Sequence, residues 1–327
     1  MLLSVQSVSP PRISILISTI GGVDDLARCL ESVLPQAAAP EIEVIVGGLL
    51  PAGQESEVRR RLPAQQREAF RCLNTGVEGF LEGYAAGAEA ALGDWLLLLD
   101  EDAVVPPGFV SWLIKRVETD DAGILGFPQF PLEDDSYMAR SLRYLDLALK
   151  RGMDRKIAIN IAAMACRRSV YFDLGGFDPG SGLDIHSPAG FVTRARRRGL
   201  RIRYEAGAYL YDGAHGLGRE VWLHQRALRS IDVSRGPGYY RLGYCLAIAA
   251  GLIAAAVMLV TKPRLFIATG LIGSIGGLAA MAAVARSVGA PATLAPGMLF
   301  GATVRAAFAM TRAGKYLAAR AKGRSRG

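Results

Sequence analysis

The segment Trp95 to Leu99 (WLLLL) is apolar without interruption and stops at three consecutive carboxylates, Asp100-Glu101-Asp102. A short apolar run with no polar alternation reads as a strand buried on both faces, the condition found where helices cover both sides of a parallel sheet. Carboxylates directly after such a strand emerge where strand becomes loop, at the carboxyl end of the sheet, which is where open α/β sheets bind ligands. Alternate residues Asp100 and Asp102 can point toward one site. Their hard oxygens suit Mg²⁺ or Mn²⁺, and an ion held there can bridge phosphate oxygens. Such a triplet standing alone also serves as a solvated loop or helix cap, so its surroundings decide between the two.

The surroundings alternate strands with helices. Arg12 to Thr19 (RISILIST) is a β-branched apolar run followed by Gly21-Gly22 and a helical spacing of Leu26, Leu30, Val33 and Leu34. Glu41 to Val46 (EIEVIV) predicts a second strand ending at Gly47-Gly48. Helices are expected over 56–70, over the Ala-rich 80–92, and over 109–117, the last opened by Pro106-Pro107-Gly108 because proline fits a first helical turn. An amphipathic helix over 137–150, a strand over 157–165, a turn-rich loop at Gly175-Gly176-Phe177-Asp178 and a helix over 220–231 complete the series. The fold class expected is α/β, a mostly parallel sheet flanked by helices.

Beyond Gly236-Pro237-Gly238 the character changes. Residues 242–260 and 265–285 carry no charged side chain, and each run is long enough to cross a hydrocarbon core of roughly 30 Å. Only Thr261-Lys262-Pro263-Arg264 separates them, which suits a transmembrane helical hairpin. A third stretch, 294–310, holds Arg305 in its middle and is expected to lie in the interface, although Lys262 and Arg264 keep a three-span arrangement open. The expected division is therefore 1–238 for the α/β domain and 239–327 for the membrane region. The basic tail of Lys315, Arg320, Lys322, Arg324 and Arg326 places the chain ends and the α/β domain on the cytoplasmic side of a multi-pass inner-membrane protein. The net charge of +8 accords with anionic headgroups. Without an aromatic-interleaved basic patch, nucleic acid is not expected as a partner. Met1 to Pro11 has no early Lys or Arg and does not read as a secretory signal. Cys29, Cys72, Cys166 and Cys245 show no metal-ligand spacing and read as small buried hydrophobes in a reducing compartment.

An ordered set of motifs from Pro11 to about His215 resembles the family 2 glycosyltransferases, inverting enzymes with the nucleotide-sugar-binding fold called GT-A. The matching pieces are PRISILIST with a helix ending LESVLPQ, the strand EIEVIV, GFLEGYAAGAEAALGDWLLLLDED, AINIAAMACRRSVY, the loop GGFD, and RRRGLRIRY. The resemblance implies a GT-A-like, Rossmann-like domain in which Asp100 and Asp102 hold Mg²⁺ or Mn²⁺ and the diphosphate of a nucleotide sugar. It implies that His215 contacts metal or diphosphate, that Thr19 begins the nucleotide loop, and that Gly83 and Gly87 lie in the segment packed against it.

Two features depart from the family pattern. Gly47-Gly48 stand where members usually place an Asp for the base or ribose, so recognition of the base is expected to use backbone groups, with Gly47 the candidate, or another side chain. The acidic pair that normally supplies the catalytic base is replaced by Ser187-Pro188. An inverting transfer needs a group to take the acceptor hydroxyl proton; Asp184 is the first candidate and His186 the second. Arg167-Arg168 and Arg194-Arg196-Arg197-Arg198 either flank the site, with Arg168 on the diphosphate, or form a solvated or membrane-facing basic surface. The function expected is metal-dependent, inverting transfer from a nucleotide-sugar donor to a lipid-linked or polysaccharide acceptor at the cytoplasmic membrane face. The alternative is a catalytically silent nucleotide-sugar-binding membrane scaffold.

Overall fold

The computed structural model describes residues 11–51, 53–76, 79–152, 159–177, 189–213 and 263–304. They form two compact units, 1–132 with 153–213 and 133–152 with 214–327. The expected boundary at Gly238 and the helix expected over 220–231 lie outside the described residues.

The first unit is built on β1 (Ile13–Thr19), β2 (Ile42–Gly48), β3 (Arg71–Asn74), β4 (Trp95–Asp100), β6 (Ile124–Gly126), β8 (Ala163–Arg167) and β9 (Ile202–Tyr204), with β5 (Ala103–Val104), β7 (Gln129–Pro131) and β10 (Leu210–Asp212) apart from them. The seven-stranded sheet has the order β3-β2-β1-β4-β8-β6-β9. Within it β8 runs antiparallel to both β4 and β6, and every other pairing is parallel. The small sheet β5-β10-β7 receives the chain directly after the acidic triplet.

Strand alternation sorts the core into two layers. Ile13, Ile15 and Ile17 of β1 and Leu97 and Leu99 of β4 join Leu26 and Leu30 of α1 (Val23–Val33) and Val110 and Leu113 of α4 (Phe109–Thr119). Leu16, Leu96 and Leu98 face the opposite way, onto Tyr84 and Ala88 of α3 (Phe80–Ala90) and Phe191 and Val192 of α7 (Ala189–Arg197). The uniform burial of β1 and β4 follows from being covered on both sides.

Two expectations on elements need correction. The helix expected over 56–70 breaks into α2 (Gln54–Arg61) and a single 3₁₀ turn at Ala64–Gln66, because Pro63 forces Leu62 into an extended conformation. The strand expected over 157–165 begins only at Ala163.

The second unit holds α5 (Tyr137–Gly152), α8 (Pro263–Ser287), a 3₁₀ turn at Ala292–Leu294 and helical residues 295–304. Tyr137 Oη donates to the carbonyl of Thr293 (3.0 Å) and accepts from the N–H of Gly297 (3.0 Å), and Ser141 Oγ donates to the carbonyl of Leu294 (3.5 Å). Added Cβ atoms at Gly297 and Gly301 would collide with Ser141 and Leu142, so small residues set how closely these helices approach. The run 265–285 lies within α8, whose side chains are described from Ile275 onward, and the run 242–260 lies outside the described residues. Among the described residues no helix is long and apolar enough to cross a membrane.

At the edge of the main sheet, Gly47 of β2 and Gly83 of α3 meet backbone to backbone. A Cβ on either would fall inside the contact distance of the other's carbonyl oxygen. Gly83→Ala is expected to cost about 1–3 kcal/mol, as overpacking does. Gly87→Ala on the same helix meets only the flexible Leu16 side chain, at 3.3 Å, and should be neutral or stabilising by up to about 1 kcal/mol. Urea denaturation of the two variants checks the contrast.

Candidate active site

Register brings the candidate residues to one edge. Thr19 lies opposite Gly48, and Ser18 opposite Asp100, so β1, β2 and β4 end together. Ser18 Oγ donates to the carbonyl of Phe80 (2.8 Å), which fixes the start of α3 over the end of β1. Gly48 has φ +138°, and a Cβ there would collide with the carbonyl of Thr19. Gly47 and Gly83 are thus at the expected edge, where they let α3 lie directly on β2.

The three carboxylates part company at the end of β4. Asp100 shares the face of Leu98 and accepts a hydrogen bond from Tyr84 Oη of α3 (2.6 Å). Burial, then the carboxylate of Asp100, hold the Tyr84 phenol well above its ordinary pKa, so it remains a donor. Glu101 turns to the other face. Its Oε2 accepts from Thr19 Oγ1, from the N–H of Ile20 (3.2 Å) and from the N–H of Gly22 (3.0 Å). Gly22 is the N-cap of α1, where a carboxylate is favoured by the helix dipole and by unpaired N–H groups. Thr19, expected to touch nucleotide, thus spends its hydroxyl on Glu101.

Asp102 is 2% exposed and Glu101 1% exposed. The carbonyl of Asp102 accepts from the N–H of Gly213 (2.9 Å), and Asp212 of β10 pairs with Ala103. The chain that leads to His215 is in this way pinned beside the triplet as far as Gly213. Asp212 also accepts from Gln129 Nε2 (2.8 Å), whose Oε1 accepts from Asn160 (2.6 Å).

His215, Asp184 and His186 lie outside the described residues. Among the described residues no three His, Cys, Asp or Glu side chains form a metal-holding group. Two carboxylates at a strand edge still fit Mg²⁺ or Mn²⁺, since such ions are commonly bound through one or two carboxylates with substrate phosphates and water completing the shell.

Arg168 does not join this site. It opens α6 (Arg168–Asp173), and its neighbour Arg167 lies opposite Trp95, the first residue of β4. The opposite end of β4 carries Asp100, about 16 Å away by strand rise. Arg167 and Arg168 line a separate cleft of about 690 Å³ with Arg12, Trp95, Glu118 and Phe172. Arg167 is engaged there by the carbonyls of Ala122 (3.3 Å) and Asp120 (3.0 Å) and by the Trp95 ring (4.9 Å). The expectation that Arg168 sits on the diphosphate is corrected by β8 running antiparallel, which carries its end to the amino edge of the sheet.

Sequence reasoning missed Tyr84 and the separate role of Glu101. Period-two alternation after Leu99 was the available signal for Glu101, since it must leave the strand on the face opposite Asp100. Tyr84 offered only a polar tip in an Ala/Gly-rich helix.

A family model described as glycosyltransferase like family 2 matches residues 10–225. No curated protein matches the chain. Among solved structures, the mannosyltransferase PcManGT from Pyrobaculum calidifontis, in complex with GDP-Man and Mn²⁺, is similar at a TM-score of 0.58 and 17% identity, over 92% of this chain and 89% of that one. The TarS structure of S. aureus matches at a TM-score of 0.47 and 11% identity, over 72% of this chain and 42% of its own.

The division of labour within the triplet predicts stability effects of different size. Glu101→Ala strips the acceptor from two backbone N–H groups and a hydroxyl and is expected to cost about 2–4 kcal/mol. Asp102→Asn relieves charge crowding and should stay within about 1 kcal/mol of wild type. Equilibrium unfolding without added metal measures both.

Proposed function

Since the chain belongs to the glycosyltransferase-like family 2 and has a GT-A-like fold, we propose that it moves a sugar from a nucleotide-sugar donor to an acceptor hydroxyl with inversion, using Asp100 and Asp102 to hold a divalent cation against the donor diphosphate. The observation that carries this is the split triplet: Glu101 is consumed by the Thr19–Gly22 loop, and Asp100 and Asp102 are left on either side of it at the carboxyl edge of the sheet. The Mn²⁺ and GDP-Man bound by the Pyrobaculum calidifontis mannosyltransferase support the choice of cation and make a guanosine or other nucleoside diphosphate sugar the first donor to try.

When bound, Mg²⁺ or Mn²⁺ offsets the charge that develops on the departing diphosphate. The chain's own groups do the rest. Tyr84 donates to Asp100 and keeps that carboxylate aimed from the α3 face. Glu101 holds the β1–α1 loop in place, so its backbone is ordered before donor arrives. The close Gly47–Gly83 contact leaves no side chain at the position where relatives use an acid, so recognition of the base or ribose falls to backbone groups. Asp184, or failing it His186, takes the proton of the acceptor hydroxyl as it attacks the anomeric carbon.

The acceptor in this proposal is lipid-linked or polysaccharide and is met at the cytoplasmic face of the inner membrane. Its support is the pair of charge-free runs at 242–260 and 265–285, together with apolar side chains that the second unit leaves uncovered, Ile275 at 65% and Phe300 at 49% exposed.

Purified full-length protein is expected to hydrolyse or transfer from a nucleotide sugar only with Mn²⁺ or Mg²⁺ present. Asp102→Asn should lower that rate by about a hundredfold or more, the scale of losing one electrostatic contact to a developing anion. Turnover that persists in EDTA, or that Asp102→Asn leaves intact, would contradict the assignment. No turnover across guanosine, uridine and thymidine diphosphate sugars would favour a silent scaffold.

A further inference from the structure

We propose that Arg28, on the second turn of α1, is a direct contact for the diphosphate of the bound donor, working beside Asp102; this deepens the function proposed above and rests on it. The turn that carries the chain past Asp102 is closed by Gly213, whose N–H donates to the Asp102 carbonyl (2.9 Å). A Cβ on Gly213 would lie 3.1 Å from Arg28 Nη2 and 3.2 Å from Asp102 Cβ. The guanidinium and the carboxylate-bearing residue therefore flank the same point.

The only hydrogen-bond partner that the structure gives Arg28 among the described residues is Asp25, three residues back on its own helix (2.9 Å). Both side chains of that pair are partly exposed, and such pairs hold weakly. Arg28 Nε is buried without a hydrogen-bond partner among the described residues. The guanidinium is thus positioned next to the triplet and only loosely engaged.

The charge balance favours a phosphate as the group Arg28 meets. Three adjacent carboxylates outweigh one divalent cation, and a nucleoside diphosphate adds further negative charge in a partly buried place. A guanidinium fork there matches phosphate oxygens two at a time. The competing role is a simple counter-ion to Asp102, in which Arg28 would contend with the metal rather than assist the donor.

The two roles predict opposite signs in calorimetric titrations of the full chain with Mn²⁺ alone, and with GDP, UDP, TDP and GMP in the presence of Mn²⁺. For Arg28→Ala, Mn²⁺ alone should bind as in wild type and GMP should be little changed. The nucleoside diphosphate that wild type binds should weaken by about ten- to a hundredfold, the worth of a charge-assisted hydrogen bond. Arg28→Lys should recover part of the loss, and melting temperatures should stay close to wild type. Should Arg28→Ala fail to fold, Arg28→Gln, which keeps the stem, gives the same comparison. Unchanged diphosphate affinity, or tighter Mn²⁺ binding with no diphosphate loss, overturns the proposal and leaves the donor site standing. Failure of wild type to bind any of the three diphosphates with Mn²⁺ removes the donor function and this contact together.

Discussion

The Glu101 carboxylate joins the end of β4 to the start of α1 by accepting from the Thr19 hydroxyl and from the N–H groups of Ile20 and Gly22. Everything at the carboxyl edge is arranged around that clasp. It orders a loop that crosses the strand ends, and it satisfies donors that a helix start leaves over. It also commits one of three neighbouring acids to structure, so that Asp100 and Asp102 stand on either side of a fixed point. Without it, the Glu101 carboxylate would be buried without these donors and the loop between β1 and α1 would lack its anchor.

The clasp works because the strand beneath it cannot shift. Leu96 to Leu99 are buried on alternate faces between α1 and α4 on one side and α3 and α7 on the other. A slip of one residue would exchange the two faces and bury Asp100 among apolar groups. The contact of Gly47 with Gly83 extends the constraint sideways by bringing α3 onto β2 at backbone distance. Tyr84 is delivered to Asp100 by that approach. The same packing excludes a side chain at the place where relatives carry an acid, which links a departure in sequence to a requirement of packing.

Much of this was legible in the chain. The apolar runs 12–19, 41–46 and 95–99 announced buried parallel strands, and the acids after Leu99 marked the carboxyl edge of the sheet, because both patterns follow from burial alone. The short strands β3, β5, β6, β7, β9 and β10 were not, since two to four residues carry too little period. Arg168 was misplaced because sequence shows an Arg pair after a strand but not that the strand runs backward. Arg28 was invisible for a different reason: its role depends on Gly213, nearly two hundred residues away in the chain, and no local pattern joins them.

The central claim is one of place: the donor diphosphate and its cation sit at the carboxyl edge, between Asp100 and Asp102, and not in the cleft at the amino edge around Arg168. Hydrogen–deuterium exchange on full-length protein, with and without Mn²⁺ and the nucleoside diphosphate it binds, separates the two directly. The account predicts slowed exchange in peptides covering residues 19–28 and 100–104 and no change over 167–172. Protection confined to 167–172 and the neighbouring 93–95 would contradict it.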